Sequence, residues 1–354
     1  MRIKPQHLVQ KPVTEREKSR SPSAVAAFLA AHWRGGVLLL VIAYFIQIYQ
    51  VMRVRPDHAF LVLLVLTLVL KNARAFLRDW SPFIASWVAY DLMRGIADDL
   101  APHVHTVEPY QLELRLFGPL FGGQIPSFWF LDWQDRIDGT FLTHALDALA
   151  SSCYALHMAA PLTLAWIFWH TVRDRSMFHR FVITFTITTW AAFATFLLYP
   201  AAPPWYVHEY GFSQPSPSFK GAGAGAMVSF DRDLGFPLFE TVYKHLNPNK
   251  FAAVPSLHAA FPLLILYFAV RRFGRKAWPV ALFPAGVFFS AVYLNHHYVI
   301  DLILAIFYVT AALLVQEYLL YPLLIERRIR TRPVQSIGAV GYHDPGPSHR
   351  VTGP

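Results

Sequence analysis

Two short motifs in the second half of the chain combine histidine with residues that could activate it. His258 closes the sequence Val254-Pro-Ser-Leu-His258, and His297 is followed four residues later by Asp301. Residues four apart lie on one face of a helix, so the Asp301 carboxylate can accept a hydrogen bond from one nitrogen of His297. The other ring nitrogen then carries an outward lone pair, which makes His297 a candidate nucleophile or base.

The same three residues have two other interpretations. Two histidines and an aspartate could bind a metal such as zinc, which takes three or four protein ligands, or they could simply pack one helix against another. Catalysis is favoured because both histidines begin predicted helices on the same face of the membrane, where they can meet at one depth. Other histidines lack such partners and are predicted to be structural: His144, His157, His170 and His179.

Membrane-spanning helices are predicted to position these residues. Of the 354 residues, 55% are hydrophobic and only 15% are charged, and the mean hydropathy is +0.35, whereas roughly a quarter of an ordinary soluble domain is charged. The sequence therefore predicts an all-α polytopic membrane bundle of about eight transmembrane helices. A bilayer core takes about 20 helical residues, and eight apolar runs reach or approach that length: 36–52, 58–71, 80–97, 147–171, 178–199, 256–271, 277–294 and 299–322.

The charge pattern predicts an orientation and the domain bounds. The net charge of +9 comes from short Lys and Arg clusters between apolar runs, and not from one basic face that would bind nucleic acid. With eight spans, five clusters fall on one side, which the positive-inside rule assigns to the cytoplasm. The expected parts are a cytoplasmic polar tail at 1–34, a membrane-embedded catalytic domain at 35–326 and a disordered cytoplasmic tail at 327–354.

The two long loops, 98–146 and 200–255, are then predicted to lie outside, together with the candidate catalytic residues. The first loop contains a short predicted helix at 125–133 that lies in the membrane interface, with Trp129 and Trp133 on its lipid side. The predicted location is the plasma membrane of a bacterium. The single cysteine, Cys153, excludes a disulfide framework and a cysteine zinc cluster.

The motifs resemble those of the type 2 phosphatidic acid phosphatase (PAP2) superfamily. Pro255-Ser256-x-His258 is similar to its second motif. Ser290, followed by His297 and Asp301 at intervals of seven and four residues, is similar to its third motif. The resemblance covers roughly residues 90–305.

Departures from the common phosphatase pattern indicate a particular branch. Leu257 stands where the family has Gly, Ala291 stands where it has Arg, and the sequence contains no Lys-x6-Arg-Pro. With Tyr199-Pro-Ala-Ala-Pro-Pro-Trp205 and His296-His-Tyr-Val-Ile-Asp301, the chain resembles the branch of fungal inositol phosphorylceramide synthase and its bacterial relatives.

The resemblance implies a phosphohistidine mechanism. His297 would attack the phosphorus of a lipid phosphoester, Asp301 would orient it, and His258 would protonate the leaving oxygen. Charge on the phosphoryl oxygens requires a cation, and Arg94 is the candidate, with an interface arginine that snorkels as the alternative. The other candidate substrate-binding residues are Tyr90, Asp91, Ser256, His296, Lys244 and Lys250.

The predicted function is the transfer of a phosphorylated head group from a membrane lipid to a lipid hydroxyl. A phosphatase of lipid or polyprenyl phosphates is the alternative. A proton-coupled transporter would use the same His and Asp residues as a relay, but the sequence shows no inverted repeat with broken helices. No cofactor, metal or nucleic-acid partner is expected, because the nucleophile and the acid are protein groups. The donor, the acceptor and the oligomeric state stay open.

Overall fold

The computed structural model of the protein describes residues 56–70, 72–100, 103–215, 227–237, 250–320 and 323. Within these ranges the chain is mostly helical and contains no β-strand, although two isolated β-bridges join Ala201 to His105 and to Ala252. The predicted all-α class is confirmed for this part of the chain. The predicted run at 36–52 and both predicted tails lie outside the described residues.

The described part of the chain contains eleven α-helices. In chain order they are α1 (Pro56–Val69), α2 (Ala73–Leu100), α3 (Glu108–Phe117), α4 (Pro126–Ile137), α5 (Phe141–Trp166), α6 (Arg175–Leu198), α7 (Pro204–Tyr210), α8 (Met227–Leu234), α9 (Leu257–Phe273), α10 (Leu282–Tyr293) and α11 (Val299–Leu314). Two helices continue as π-helical turns, α5 at Ile167–Thr171 and α11 at Val315–Leu320, and a 3₁₀ segment at Gly274–Ala281 connects α9 to α10.

Four stretches of the described chain are long and apolar enough to cross a membrane: Phe141–Thr171, Arg175–Leu198, Leu257–Tyr293 and Val299–Leu320. The third stretch is a hairpin of α9 and α10. Gly274 ends α9 with a φ of 65°, a conformation that glycine adopts readily, and α10 then returns until His297 contacts His258. Helices therefore occupy both predicted runs here, 256–271 and 277–294, whereas the total of eight spans stays a prediction.

Aromatic side chains form much of the bundle core. Phe83 of α2 stacks on Phe185 of α6 with ring centroids 4.3 Å apart, and Phe185 stacks on Phe261 of α9 at 4.6 Å. All three rings are buried. Helices in a membrane associate through van der Waals packing of this kind, so this row of stacked rings holds α2, α6 and α9 against one another.

Ion pairs join the helix ends that lie far from His258. Each pair links two different helices or the cap or extension of one helix to another, and the charged groups gather at the end of the bundle where α6 begins and α9 ends. This is the end at which the sequence predicts the positive, cytoplasmic residues. The pairs are Arg175–Asp79 (2.6 Å), Arg271–Glu317 (2.6 Å) and Arg272–Asp174 (2.9 Å).

Short helices from the two long loops cover the opposite end, where His258 lies. The predicted helix at 125–133 is present as α4, which begins at Pro126, a residue suited to a first helical turn. Trp129 and Trp133 of α4 lie on one face, with their rings parallel within 9° and 6.3 Å apart. The location of α4 at a membrane interface stays a prediction.

Candidate active site

The first turn of α9 presents His258 to the covered end of the bundle. Ser256 is the N-cap of α9, and its hydroxyl oxygen accepts the backbone N–H of Ala259 at 3.3 Å. Capping by serine satisfies one of the free N–H groups at a helix start. The motif Pro-Ser-Leu-His thus fixes where α9 begins and places His258 at its second position.

The turn between α10 and α11 holds His297. The backbone N–H groups of His296 and His297 both donate to the Ala291 carbonyl at 3.0 Å, which closes the turn tightly. Asn295 has a φ of 62°, a conformation that asparagine tolerates better than most residues. Asp301 follows in the first turn of α11 and is fully buried.

The contacts of His297 fix its tautomer. Its Nδ1 faces two acceptors, the Asp301 Oδ2 atom at 3.2 Å and the Ala253 carbonyl at 3.1 Å, so Nδ1 must carry the proton. Nε2 then carries a lone pair, and it lies 3.0 Å from His258 Nδ1, which donates to it. The three residues singled out in the sequence therefore form one connected unit, in which the unprotonated nitrogen of His297 faces a hydrogen-bond donor.

The Tyr199–Trp205 segment ties the surrounding loops together through its backbone. The N–H of Ala201 donates to Phe251 at 2.9 Å, that of Ala202 to His105 at 3.0 Å, and that of Trp205 to Asn295 at 2.9 Å. Phe251 lies two residues before Ala253, whose carbonyl accepts from His297. This motif thus holds together the segment that contains Ala253 and the turn that contains His297.

Two residues of α5 contact the histidines from the side. The Tyr154 ring stacks on His258 with centroids 4.2 Å apart and on His296 at 4.9 Å. The His157 ring packs 4.0 Å from that of His258, and its Nδ1 is bonded to the Tyr154 carbonyl. The sequence predicted only a structural role for His157. Local spacing gives no indication of its contact with His258, because the two residues lie on different helices, α5 and α9.

A small cavity lies beside His258 between α2, α5, α6 and α9. Its lining is largely apolar, and its polar residues are His157, His258, Tyr90, Ser86 and Thr189. Tyr90, a candidate substrate-binding residue from the sequence, belongs to this lining. The lining residues that matter here are Trp87, Tyr90, His157, Leu257, His258 and Phe261.

The remaining substrate-binding candidates fall into two groups. Lys244 lies outside the described residues, and so do the side chains of Asp91 and Arg94, although their backbone belongs to α2. Ser256 caps α9 and is fully buried, as described above. Lys250 is half-buried and immediately precedes Phe251.

His296 is buried next to the catalytic candidates, against Tyr154. Burial lowers the pKa of His296 to about 3, so its imidazole is neutral at pH 7. A neutral ring can donate or accept a hydrogen bond, but it cannot supply the cation that a phosphoryl group requires.

A second residue that the sequence did not indicate is Glu113 of α3, which is fully buried beside the start of α11. Its carboxylate accepts the backbone N–H groups of Val299 and Ile300. Burial raises the pKa of the Glu113 carboxyl to about 7, against the opposing effect of these two donors.

In the part of the chain that the structure describes, no three His, Cys, Asp or Glu side chains form a cluster that could hold a metal.

Comparison with known proteins agrees with the motifs and the geometry. The PAP2 superfamily profile matches residues 124–315, more than half of the chain. The chain is 30% identical over 278 residues to the phosphoinositol dihydroceramide synthase of Bacteroides thetaiotaomicron, and the match covers 76% of this chain and 87% of that protein. No solved structure matches the chain significantly.

Fungal relatives match a smaller part of the chain. This chain is 28% identical over 173 residues to the inositol phosphorylceramide synthase of Candida albicans, and the match covers 49% of this chain and 36% of that protein. It is 32% identical over 134 residues to inositolphosphotransferase 1 of Saccharomyces cerevisiae, and that match covers 37% of this chain and 25% of that protein. The profile match, the Bacteroides relative and the His258, His297 and Asp301 unit together establish that the chain belongs to the PAP2 superfamily and is a helical membrane enzyme of its phosphotransferase and phosphatase class.

Proposed function

We propose that the protein transfers a phosphoinositol head group from a donor lipid to the hydroxyl of a ceramide-type lipid. The names of the Bacteroides and Candida relatives support this choice of head group and acceptor. The observation that carries the chemistry is the 3.0 Å contact between His258 Nδ1 and His297 Nε2, with Asp301 and Ala253 on the other nitrogen of His297.

In the first half-reaction, the Nε2 lone pair of His297 attacks the phosphorus of the donor. A P–N bond forms and the bond from phosphorus to the donor's lipid oxygen breaks. That oxygen takes the proton from His258 Nδ1, and His258 must carry a proton on both ring nitrogens at this step, so that a neutral imidazole is left after the transfer. Since this proton points at Nε2 in the free enzyme, the His258 ring must turn slightly to let phosphorus approach.

In the second half-reaction, the acceptor hydroxyl oxygen attacks the same phosphorus. The P–N bond breaks, its electron pair returns to Nε2 of His297, and His258 Nδ1 takes the hydroxyl proton. Asp301 stabilises the positive charge on the His297 ring during both steps. Water in place of the lipid hydroxyl gives a phosphatase, which is the alternative function.

The cavity beside His258 supports a lipid acceptor. Its walls are largely apolar, as expected next to a lipid, and His157 offers a hydrogen-bond acceptor near the reacting atoms. Since His157 Nδ1 is hydrogen-bonded to the Tyr154 carbonyl, its Nε2 carries the lone pair and can hold the acceptor hydroxyl until the hydroxyl hydrogen turns to His258 Nδ1 for the attack.

Arg94 is the proposed phosphate-binding cation. Position 94 follows Tyr90 by one turn of α2, and Tyr90 lines the cavity next to His258. A guanidinium suits this role because it binds two phosphoryl oxygens at once.

The proposed orientation places the active site on the extracytoplasmic side of a bacterial plasma membrane and both termini in the cytoplasm. The gathering of Arg175, Arg271 and Arg272 at the end far from His258 supports it, because positive residues favour the cytoplasmic side. Eight spans and an interfacial α4 complete the proposed topology.

A transfer experiment in vesicles tests the proposed function. The purified protein is reconstituted with a lipid that carries a radiolabelled phosphoinositol group, with or without ceramide, and His297→Ala serves as the control. Acceptor-dependent label in a new lipid supports transfer. Release of soluble labelled head group, at a rate that ceramide does not change, would identify a phosphatase instead.

A further inference from the structure

A buried carboxylate from a loop helix holds the start of the helix that carries Asp301. Glu113 lies on α3, and its side chain is fully buried against a small apolar cluster. The cluster joins α3 and α4 to the beginning of α11, and its members include Ile125, Tyr298, Ile300, Leu114 and Phe117. A fully buried acidic residue is rare unless specific partners hold it.

The partners of Glu113 are the first two amides of α11. Its Oε1 atom accepts the N–H of Val299 at 2.8 Å, and its Oε2 atom accepts the N–H of Ile300 at 3.1 Å. These amides have no acceptor within their own helix, and the positive end of the helix dipole favours a negative group there. Among the described residues, Glu113 makes no ion pair with a cation.

The first turn of α11 also sets the geometry of the nucleophile. Asp301 Oδ2 accepts the N–H of Tyr298 at 3.0 Å and faces His297 Nδ1 at 3.2 Å. The second distance is at the long limit of an N–H···O hydrogen bond. A displacement of the turn by a few tenths of an ångström therefore weakens the bond that orients His297.

We propose that Glu113 is a positioning residue for the transfer reaction: by holding the Val299 and Ile300 amides, it fixes the distance between Asp301 and His297. This role rests on the proposed function, because it assumes that His297 is the nucleophile and Asp301 its partner. Glu113 acts through Asp301 and touches no substrate. Its carboxylate belongs to a loop helix, so the loop contributes to catalysis as well as covering the site.

Glu113→Gln is the main test variant. Glutamine keeps the size of the side chain, but it replaces one acceptor oxygen by an NH₂ donor that faces a backbone N–H. Since the pKa of Glu113 is about 7, kinetics are measured at pH about 8.5, where its carboxylate is ionised. There we expect kcat for head-group transfer to fall about tenfold or more, with KM within about twofold of the original, since one charge-assisted hydrogen bond corresponds to about this factor. The matched control is Glu108→Gln on the same helix, because Glu108 is exposed and pairs with His105, and it should leave both constants unchanged.

A double-variant experiment separates positioning from general stability. If Glu113 acts through Asp301, then adding Glu113→Gln to Asp301→Asn should lower kcat by less than about twofold. Equal factors in both backgrounds would mean that the two residues act independently and would overturn the proposal.

Val299→Pro provides a second variant that leaves Glu113 in place. Proline removes the N–H that Glu113 Oε1 accepts, yet it is tolerated at the first helical position, and Tyr298 already has the extended backbone that a following proline requires. We expect a loss of kcat of about threefold to tenfold, again with little change in KM. Unaltered kcat in a folded Val299→Pro protein would contradict the proposal.

Hydrogen exchange of the peptide that contains Val299 and Ile300 tests the contact without substrate. Glu113→Gln should speed exchange at these amides by about tenfold, and Glu108→Gln should not. If Glu113→Gln exchanges faster but keeps the wild-type kcat, Glu113 only caps α11 and has no effect on catalysis. If exchange is unchanged, Glu113 does not hold these amides. Either result overturns the proposal. Absence of transfer by the wild-type protein would instead contradict the proposed function, and the exchange experiment would still decide whether Glu113 holds α11.

Discussion

Asp301→Asn should lower catalysis to a limited and calculable extent. In the native site, His297 Nδ1 donates to both Asp301 and the Ala253 carbonyl. Asparagine removes the negative charge that stabilises the His297 ring when it forms a bond to phosphorus. The Ala253 carbonyl still accepts the Nδ1 proton, so the tautomer with its lone pair on Nε2 is retained.

The expected magnitude follows from these contacts. A hydrogen bond to a charged group is worth about 1.5 to 3 kcal/mol, and 1.4 kcal/mol corresponds to a factor of about ten. We therefore expect kcat for transfer in reconstituted vesicles to fall about 10- to 150-fold, whereas His297→Ala should abolish it. The KM for the donor lipid should stay within about threefold, because Asp301 is fully buried and behind the nucleophile.

Two results would refute this reasoning. The first is a loss of activity as complete as that of His297→Ala in an Asp301→Asn protein whose Tm equals that of the wild type. This result would show that the Ala253 carbonyl does not maintain the tautomer of His297. A loss below about twofold would show that Asp301 does not stabilise charge on His297. Thr310→Ala is a matched control on α11, because the Thr310 hydroxyl is exposed and donates to the Ile306 carbonyl within the helix.

Three further predictions follow from the site. His157→Ala should lower the rate of transfer to a ceramide hydroxyl about tenfold and the rate of hydrolysis by water less than threefold. The ratio of labelled lipid to labelled soluble product measures the difference, and equal losses of both activities would argue against a role of His157 in holding the acceptor. Arg94→Lys should be nearly as damaging as Arg94→Ala, at least about tenfold in kcat/KM, because a point charge cannot replace a bidentate guanidinium; wild-type activity of the lysine variant would favour the snorkelling interpretation. Activity should survive EDTA, and its loss in chelator with recovery by one divalent cation would make His258, His297 and Asp301 candidate ligands.

Local spacing predicted one contact of the central unit. His297 and Asp301 are four residues apart and their side chains meet, although His297 lies in the turn before α11 and only Asp301 lies in the helix. The approach of His258 was expected from the two helix starts on one membrane face, and not from local spacing. The two apolar runs at 256–271 and 277–294 also predict the helices of the α9 and α10 hairpin, because the run of charge at 271–276 separates them. The helix at 125–133 was predicted from its aromatic pattern and observed at Pro126–Ile137.

Contacts between distant segments could not be predicted in this way. His157 reaches His258 from another helix, about a hundred residues earlier in the chain, and nothing near His157 in the sequence marks it as different from His170. Glu113 lies in a polar stretch whose acidic residues suggest a solvent-exposed loop, and only the fold shows that α3 carries it to α11. The sequence likewise offers no sign that the Ala253 carbonyl shares the His297 proton.

The most direct test of the mechanism is the identification of a phosphorylated residue. The protein is mixed with labelled donor lipid without acceptor, quenched in alkali within milliseconds, and digested for mass spectrometry. Phosphohistidine chemistry predicts an acid-labile, alkali-stable label on His297 that disappears in His297→Ala and that ceramide removes on a chase. Label on a different residue, or turnover by His297→Ala at the wild-type rate, would contradict His297 as the nucleophile.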